Sequence, residues 1–131
     1  EVVRKPNDGY WSNTWLKDSW VASYWGGRPT EDWMFSQVYS ENAIATGWSE
    51  TKFIHPKFEK LLVQARAELN DAKRREMYVE MQQIVHDNCS VIIPIFSAYG
   101  HASTNNVKRG ANVASNWEFD GHKCAERWWM G

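Results

Sequence analysis

The stretch that decides the fold is PKFEKLLVQARAELNDAKRREMYVEMQQIVHD, residues 56–87. Pro56 suits the first position of a helix, because the N–H that it lacks would have no partner there. An apolar stripe at helical spacing follows, formed by Phe58, Leu61, Leu62, Ala65 and Leu69. Asn70 and Asp71 break this helix and cap a second one. The second helix is expected over residues 72–87, and its inward residues are Met77, Met81, Ile84 and Val85.

Ahead of this stretch the sequence predicts two strands and a further helix. Residues 2–4 alternate as a strand does, and residues 20–25 are rich in aromatic and β-branched strand formers. Thr30 has capping character and precedes a predicted helix that runs through Tyr39. Residues 42–49 are small and polar, and are expected to form a connection.

Beyond the two helices, the pattern indicates further strands. Residues 90–97 form a β-branched run typical of a buried strand, although Pro94 favours an edge or a bulge. A second strand is expected at 101–104 or at 105–108, and the chain after Gly110 is irregular and turn-rich. Helices and strands together predict a mixed α/β (α+β) fold.

Length and charge limit the classes of function. A chain of 131 residues is the size of one domain and can bury a hydrophobic core. Lys and Arg number 15 against 16 Asp and Glu, so no strong field draws the protein to nucleic acid or to an anionic membrane surface. The sequence has no apolar run of 18 residues, so it predicts no transmembrane helix.

Nine tryptophans are the unusual feature of the composition, and they stand at positions 11, 15, 20, 25, 33, 48, 117, 128 and 129. Each indole carries an N–H that needs a partner when buried, and a face that can stack on a ligand. An aromatic core and an aromatic recognition surface both explain this number, and composition alone leaves the two open.

Catalytic and metal-binding motifs are not found in the sequence. There is no G-x-S-x-G motif, phosphate-binding loop or Walker lysine. The histidines have no metal-ligand spacing; they are His55, His86, His101 and His122. We therefore expect a protein that is not an enzyme and that uses no cofactor or metal.

Two cysteines, Cys89 and Cys124, stand 35 positions apart. In an oxidising compartment a disulfide between them would stabilise the fold by roughly 3–4 kcal/mol. Two free thiols are the alternative, and the spacing does not decide between them.

The loop Ser23–Pro29 is the best candidate for a binding site. It brings together two aromatic rings, bare backbone N–H groups and a guanidinium, in Tyr24, Trp25, Gly26, Gly27 and Arg28. This combination suits an oxygen-rich or carboxylate-bearing small molecule and lacks a proton shuttle. A plain turn with a surface ion pair at Arg28 is the simpler alternative.

The order of several motifs indicates a family. These motifs are Pro6-Asn7-Asp8-Gly9-Tyr10-Trp11-Ser12, Trp25-Gly26-Gly27-Arg28-Pro29-x-x-Asp32, Phe58-x-x-Leu61-Leu62-x-x-Ala65, Tyr78-x-x-x-Gln82-x-Ile84 and Ile92-Ile93-Pro94. Over nearly the whole chain, this order resembles the C-terminal quarter of the extracellular solute-binding proteins of ABC importers, of the oligopeptide, dipeptide and nickel type. Full-length members are several times longer, so the resemblance implies a C-terminal fragment.

The resemblance implies a two-lobed, class II periplasmic-binding-protein fold. Residues 1–115 would be part of the second, ligand-binding lobe, and residues 116–131 a tail crossing the hinge toward the first lobe. The full-length protein would be periplasmic or lipid-anchored and monomeric, with an ABC permease and a small or peptide-like ligand as its partners. No nucleic acid and no cofactor are implied.

The resemblance also assigns a ligand-binding role to the loop through Trp25, Gly26, Gly27 and Arg28. Together with Tyr24 and Asp32, these are the candidate substrate-binding residues. In the peptide-binding members an acidic residue near this loop captures the free amine of the peptide. Gly27 stands at that position, so Arg28 suggests an anionic ligand group instead. A Trp-rich carbohydrate-binding module is the alternative function, although such modules are usually all-β.

Overall fold

The computed structural model describes residues 1–114 and 116–131, and most of its regular structure is helical. Its helices are α1 (Tyr10–Asn13), α2 (Glu31–Met34), α3 (Glu41–Ala45), α4 (Pro56–Ala67), α5 (Asp71–Asn88), α6 (Glu118–His122) and α7 (Cys124–Arg127). The π-helical turn Phe35–Tyr39 continues α2, and the strands are β1 (Val107–Lys108) and β2 (Trp129–Met130). The fold class is therefore mixed, mostly helical, with a two-stranded sheet.

The two central helices confirm the prediction from residues 56–87. The ring Nδ1 of His55 accepts the Phe58 N–H at 3.3 Å, and Oδ1 of Asn70 accepts the Lys73 N–H at 3.1 Å, so each helix has a side-chain N-cap. Leu69 lies beyond the last residue of α4 and is 91% exposed, so its predicted inward position is wrong. The apolar stripe ends with the helix that carries it.

The core is built where α4 and α5 meet the turn that follows α2. Phe58 and Met81 are the largest fully buried side chains. The Phe35 ring packs edge-on against Phe58 with centroids 5.3 Å apart. The other buried apolar residues of this cluster are Val38, Tyr39, Phe53, Leu61, Leu62, Ala65, Ile84 and Val85. Trp25 packs against the edge of the cluster, which places the candidate loop beside the core.

The predicted start of α2 is confirmed by the structure, whereas the predicted connection over residues 42–49 is wrong. Oγ1 of Thr30 accepts the Trp33 N–H at 3.3 Å, so the predicted cap of α2 is confirmed. The region 42–49, predicted as a connection, contains most of α3 instead. Ser40 caps α3 by accepting the Ala43 N–H at 3.2 Å, a local signal that the sequence analysis did not use.

The predicted strands over residues 2–4, 20–25 and 90–97 are wrong, because the structure has irregular chain there. A strand needs a neighbour for its N–H and C=O groups, and the described residues place none beside these segments. Ile95 is 74% and Phe96 is 90% exposed, so the run 90–97 is not buried either. Strand propensity alone does not supply a partner.

The sheet is short and joins distant segments. Val107 pairs with Met130 and Lys108 with Trp129 in an antiparallel register, so the second alternative for the strand, 105–108, is the one that contains β1. The chain after Gly110 also forms α6, α7 and β2, which the sequence analysis did not predict. The predicted boundary at 115/116 involves Ser115, which lies outside the described residues, and the hinge crossing stays a prediction.

A buried carboxylate organises the tail. Asp120 is 2% exposed and accepts the Ala114 N–H at 2.6 Å, an Arg127 N–H at 3.0 Å and the Trp128 indole N–H at 3.3 Å. Three non-glycine residues of α6 have positive φ, namely Phe119, Asp120 and His122. Such backbone is costly for L-residues, so the contacts of Asp120 must offset that cost.

Candidate ligand-binding surface

Five aromatic residues form a continuous surface, here called the aromatic cluster: Trp11, Trp15, Tyr24, Trp25 and Trp48. Ring centroids are 5.5 Å apart for Trp11 and Trp15 and 5.9 Å apart for Trp15 and Trp48. Trp48 also lies 5.9 Å from Trp25, and Trp11 lies 6.4 Å from Tyr24. Neighbouring planes are steeply inclined, the edge-to-face geometry that aromatic quadrupoles favour.

Glu50 joins two rings of the cluster. One carboxylate oxygen accepts the Trp15 indole N–H at 2.5 Å, and the other accepts the Trp25 indole N–H at 3.1 Å. Both oxygens therefore bind neutral donors, and the two indoles are held in fixed relative orientation. The sequence analysis missed Glu50, since it lies in a segment with no motif and is 35 and 25 residues from its partners.

Short helices position the members of the cluster. α1 carries Trp11, and the Tyr10 hydroxyl donates to the Ala22 carbonyl at 2.7 Å, so the chain before Tyr24 is held against α1. The backbone N–H of Trp48 donates to the Ala43 carbonyl at 2.9 Å, so the end of α3 positions Trp48. The cluster thus depends on contacts between segments distant in sequence.

Arg28 is held by contacts within the protein. Its Nε donates to Gln37 at 2.8 Å, and one terminal nitrogen donates to the Gly26 and Gly27 carbonyls at 2.8 and 3.3 Å. Its Cζ lies 5.6 Å from the Trp25 ring centroid and 5.7 Å from that of Trp33. The hypothesis of an anionic ligand group therefore rests on the other terminal nitrogen, for which no partner is found among the described residues.

The two glycines differ in their surroundings. A Cβ on Gly27 would lie 2.9 Å from the Asn116 carbonyl oxygen and 3.3 Å from its Cα. A Cβ on Gly26 would meet only Arg28 and Trp117 side-chain atoms, both at 3.7 Å. Gly27 is therefore required for close approach of the tail, whereas Gly26 has room for a side chain.

Asp32, the sixth predicted residue, is engaged with the helices. Its Oδ1 accepts the Arg66 Nε–H at 2.7 Å and the Tyr78 hydroxyl at 3.3 Å, which ties α2 to α4 and α5. Burial and the Asp32 charge raise the pKa of Tyr78. The structure thus brings Tyr24, Trp25 and Arg28 into one neighbourhood and gives Asp32 a bracing position, and its ligand contact stays a prediction.

The cluster is an open surface. Trp11 is 56%, Tyr24 78% and Trp48 45% exposed. Two depressions of about 410 and 430 Å³ lie elsewhere: one faces α5 and is lined in part by Arg74, Arg75 and Gln82, and the other is lined by residues 4–7. Ligand contact at the cluster would therefore be made on one side only.

The described residues include two cysteines and several side chains of the kinds that bind metals. Cys89 and Cys124 are free thiols, both partly buried, and burial raises the pKa of Cys89. The disulfide between them is not formed in this structure, and its formation in an oxidising compartment stays a prediction. Residues 1–114 and 116–131 contain no group of three His, Cys, Asp or Glu side chains that could hold a metal ion.

Comparisons with known proteins do not identify a family: no family model matches the chain, and no curated protein or solved structure is significantly similar to it. Within the described residues, no helix combines the length and the apolar character needed to span a bilayer.

Proposed function

We propose that this chain is part of the ligand-binding lobe of an extracellular solute-binding protein of an ABC importer, of the oligopeptide, dipeptide and nickel type. It captures a small, peptide-like or otherwise polar solute and presents it to a membrane permease without transforming it. The ligand favours closure of two lobes because it contacts both.

One observation carries the proposal, namely the aromatic cluster that borders the Gly26-Gly27 loop. Its rings are fixed by Glu50 and by one another, yet three of them remain about half exposed or more. Solvent-exposed, preorganised aromatic faces beside bare backbone are typical of recognition surfaces. A one-sided surface also suits a ligand that is enclosed by a second lobe.

The segment after α5 adds support. Ile92, Ile95 and Phe96 are 73%, 74% and 90% exposed, which is unusual for three large apolar side chains within five consecutive residues. A neighbouring lobe that pairs with this segment would cover them and would satisfy its backbone. The proposal therefore accounts for the failed strand prediction at 90–97.

A Trp-rich carbohydrate-binding module is the second candidate, because exposed indoles also stack on sugar rings. Its usual all-β architecture is a poor fit to a chain whose regular structure is mostly helical. The exposed indoles alone favour it, so sugars are included in the test.

The test is an NMR titration of the full chain, followed through the nine indole N–H signals. A tripeptide, trialanine, and a sugar, cellobiose, are each added to the unaltered protein, to Trp25→Ala and to Trp20→Ala. Trp20 is 70% exposed and lies outside the cluster, so it is the matched control. Because this chain supplies only one side of the proposed site, we expect weak binding: trialanine at high concentration shifts the Trp15 and Trp25 signals, and of the two substitutions only Trp25→Ala removes those shifts.

Two results would contradict the proposal. Cellobiose binding with no response to trialanine would favour the sugar-binding module. Mass spectrometry that finds the peptide hydrolysed after incubation would show an enzyme, since a receptor releases its ligand unchanged.

A further inference from the structure

We propose that the aromatic cluster and Glu50 form a site for an organic cation whose charged nitrogen carries methyl or methylene groups. This inference rests on the proposed function and names a class of solute for it. The observations that carry it are the carboxylate of Glu50, its hydrogen bonds from two indoles and the guanidinium that already lies on one of those indoles.

Among the described residues, the Glu50 carboxylate forms no ion pair with a cationic side chain. Its oxygens accept two neutral indole N–H groups instead. A partly buried carboxylate is ordinarily paired with a positive group. The positive group that this site lacks can be supplied by a ligand.

The hydrogen bonds that Glu50 accepts also change the electron density of the indole rings that donate them. An indole that donates its N–H to a carboxylate gains electron density over the ring, so its faces become more attractive to a cation. Trp48 contacts both indoles bound by Glu50 and is 45% exposed, while Trp11 extends the surface with 56% exposure. Trp15, one of the two indoles bound by Glu50, is partly exposed and packs against both Trp11 and Trp48, so the cation would lie on its outer face beside those two rings.

Arg28 shows that a ring of the cluster accepts a cation. Its guanidinium carbon is 5.6 Å from the centroid of the Trp25 ring, within the range of cation–π attraction. The guanidinium belongs to the chain and lies on the Trp25 ring, so the faces of Trp11, Trp15 and Trp48 are the ones available to solute. Alkyl groups on a cationic nitrogen favour such faces, because they lower its hydration and bury apolar surface.

The experiment compares choline with 3,3-dimethylbutan-1-ol, in which a neutral carbon replaces the charged nitrogen at the same shape. Both are titrated into the full chain and followed through the Trp15 and Trp25 indole N–H signals. We expect choline to bind at least about fivefold more tightly than the neutral alcohol. This comparison needs no variant.

Glu50→Gln tests the role of the carboxylate. Glu76→Gln is the matched control, because it removes the same charge from an exposed position on α5. We expect Glu50→Gln to weaken choline binding about threefold or more while leaving the alcohol unchanged, and Glu76→Gln to change neither. Retained helical circular dichroism will establish that each variant is folded.

Equal affinity for choline and the alcohol, or no binding of either, would overturn the inference. If trialanine still shifts the same signals in that case, the proposed function survives and only the solute class is wrong. If trialanine also fails, both are wrong.

Discussion

Gly27 offers the sharpest test of how the tail is attached to the rest of the chain. A methyl group at Gly27 would lie 2.9 Å from the Asn116 carbonyl oxygen, closer than real Cβ atoms approach backbone, whereas at Gly26 it would meet ordinary contacts of 3.7 Å. Neither glycine has a positive φ, so alanine is compatible with the backbone at both positions. The two substitutions thus differ in steric cost alone.

Two opposing contributions set the change in unfolding free energy on replacing each glycine by alanine. Replacing glycine by alanine stabilises a compatible position by about 0.4–1 kcal/mol, because the unfolded chain loses conformational freedom. Overpacking against backbone costs about 1–3 kcal/mol. The first term is common to both variants, so Gly27→Ala is expected to be less stable than Gly26→Ala by about 1–3 kcal/mol.

If the tail unfolds with the core, urea unfolding followed by circular dichroism measures the difference in stability between the two variants. If the tail detaches first, trypsin cleavage at Lys123 and Arg127 measures that difference instead, and Gly27→Ala should then be cleaved roughly fivefold faster than Gly26→Ala, or more. Identical unfolding curves together with identical cleavage rates for the two variants would refute the placement of Asn116 against Gly27.

The other predictions concern the core, one helix cap and alkaline pH. Phe58→Ala should lower the free energy of unfolding by about 3–5 kcal/mol, whereas Val63→Ala, on the exposed face of the same helix, should change it by less than about 1 kcal/mol in a urea titration. Asn70→Ala should cost about 1 kcal/mol through loss of the α5 cap, and Asn70→Ser should restore most of it. Burial raises the pKa of Tyr39 to about 12, so the unfolded chain ionises first and stability should fall between about pH 10 and 12, by up to about 3 kcal/mol. Tyr39→Phe should flatten that fall, and an unchanged slope would contradict the buried position of the hydroxyl.

Predictions from local pattern succeeded where the physical cause was local. The caps at Thr30 and Asn70 need only a side-chain oxygen and an N–H three residues on, and both are found in the structure. The apolar stripe of α4 likewise follows from helical periodicity, which holds until the helix ends at Ala67. Leu69 failed because the pattern continues past the helix.

Strand predictions, which depend on a second segment for backbone pairing, were less successful. The run 90–97 has strand formers, but a strand exists only where another segment pairs with it. Strand β1, at residues 107 and 108, exists because β2 at positions 129 and 130 pairs with it. Composition at a segment says nothing about such a partner.

The candidate site shows the same division. The loop Ser23–Pro29 is visible in the sequence as a local concentration of aromatic, glycine and arginine residues, and the structure places Trp25 and Arg28 in contact. Trp15, Trp48 and Glu50 could not be assigned to that site from the sequence, since no motif marks them.

The sequence by itself determined the positions of α4 and α5 and, within the two helices, most of the residues that face the core. Those features depend on interactions a few residues apart along one helix or turn. Only the tertiary structure decided that Glu50 bridges Trp15 and Trp25, that Asp32 braces helices and that Gly27 lies against Asn116. Each of those contacts joins residues distant in the chain, so it exists only after the helices have packed.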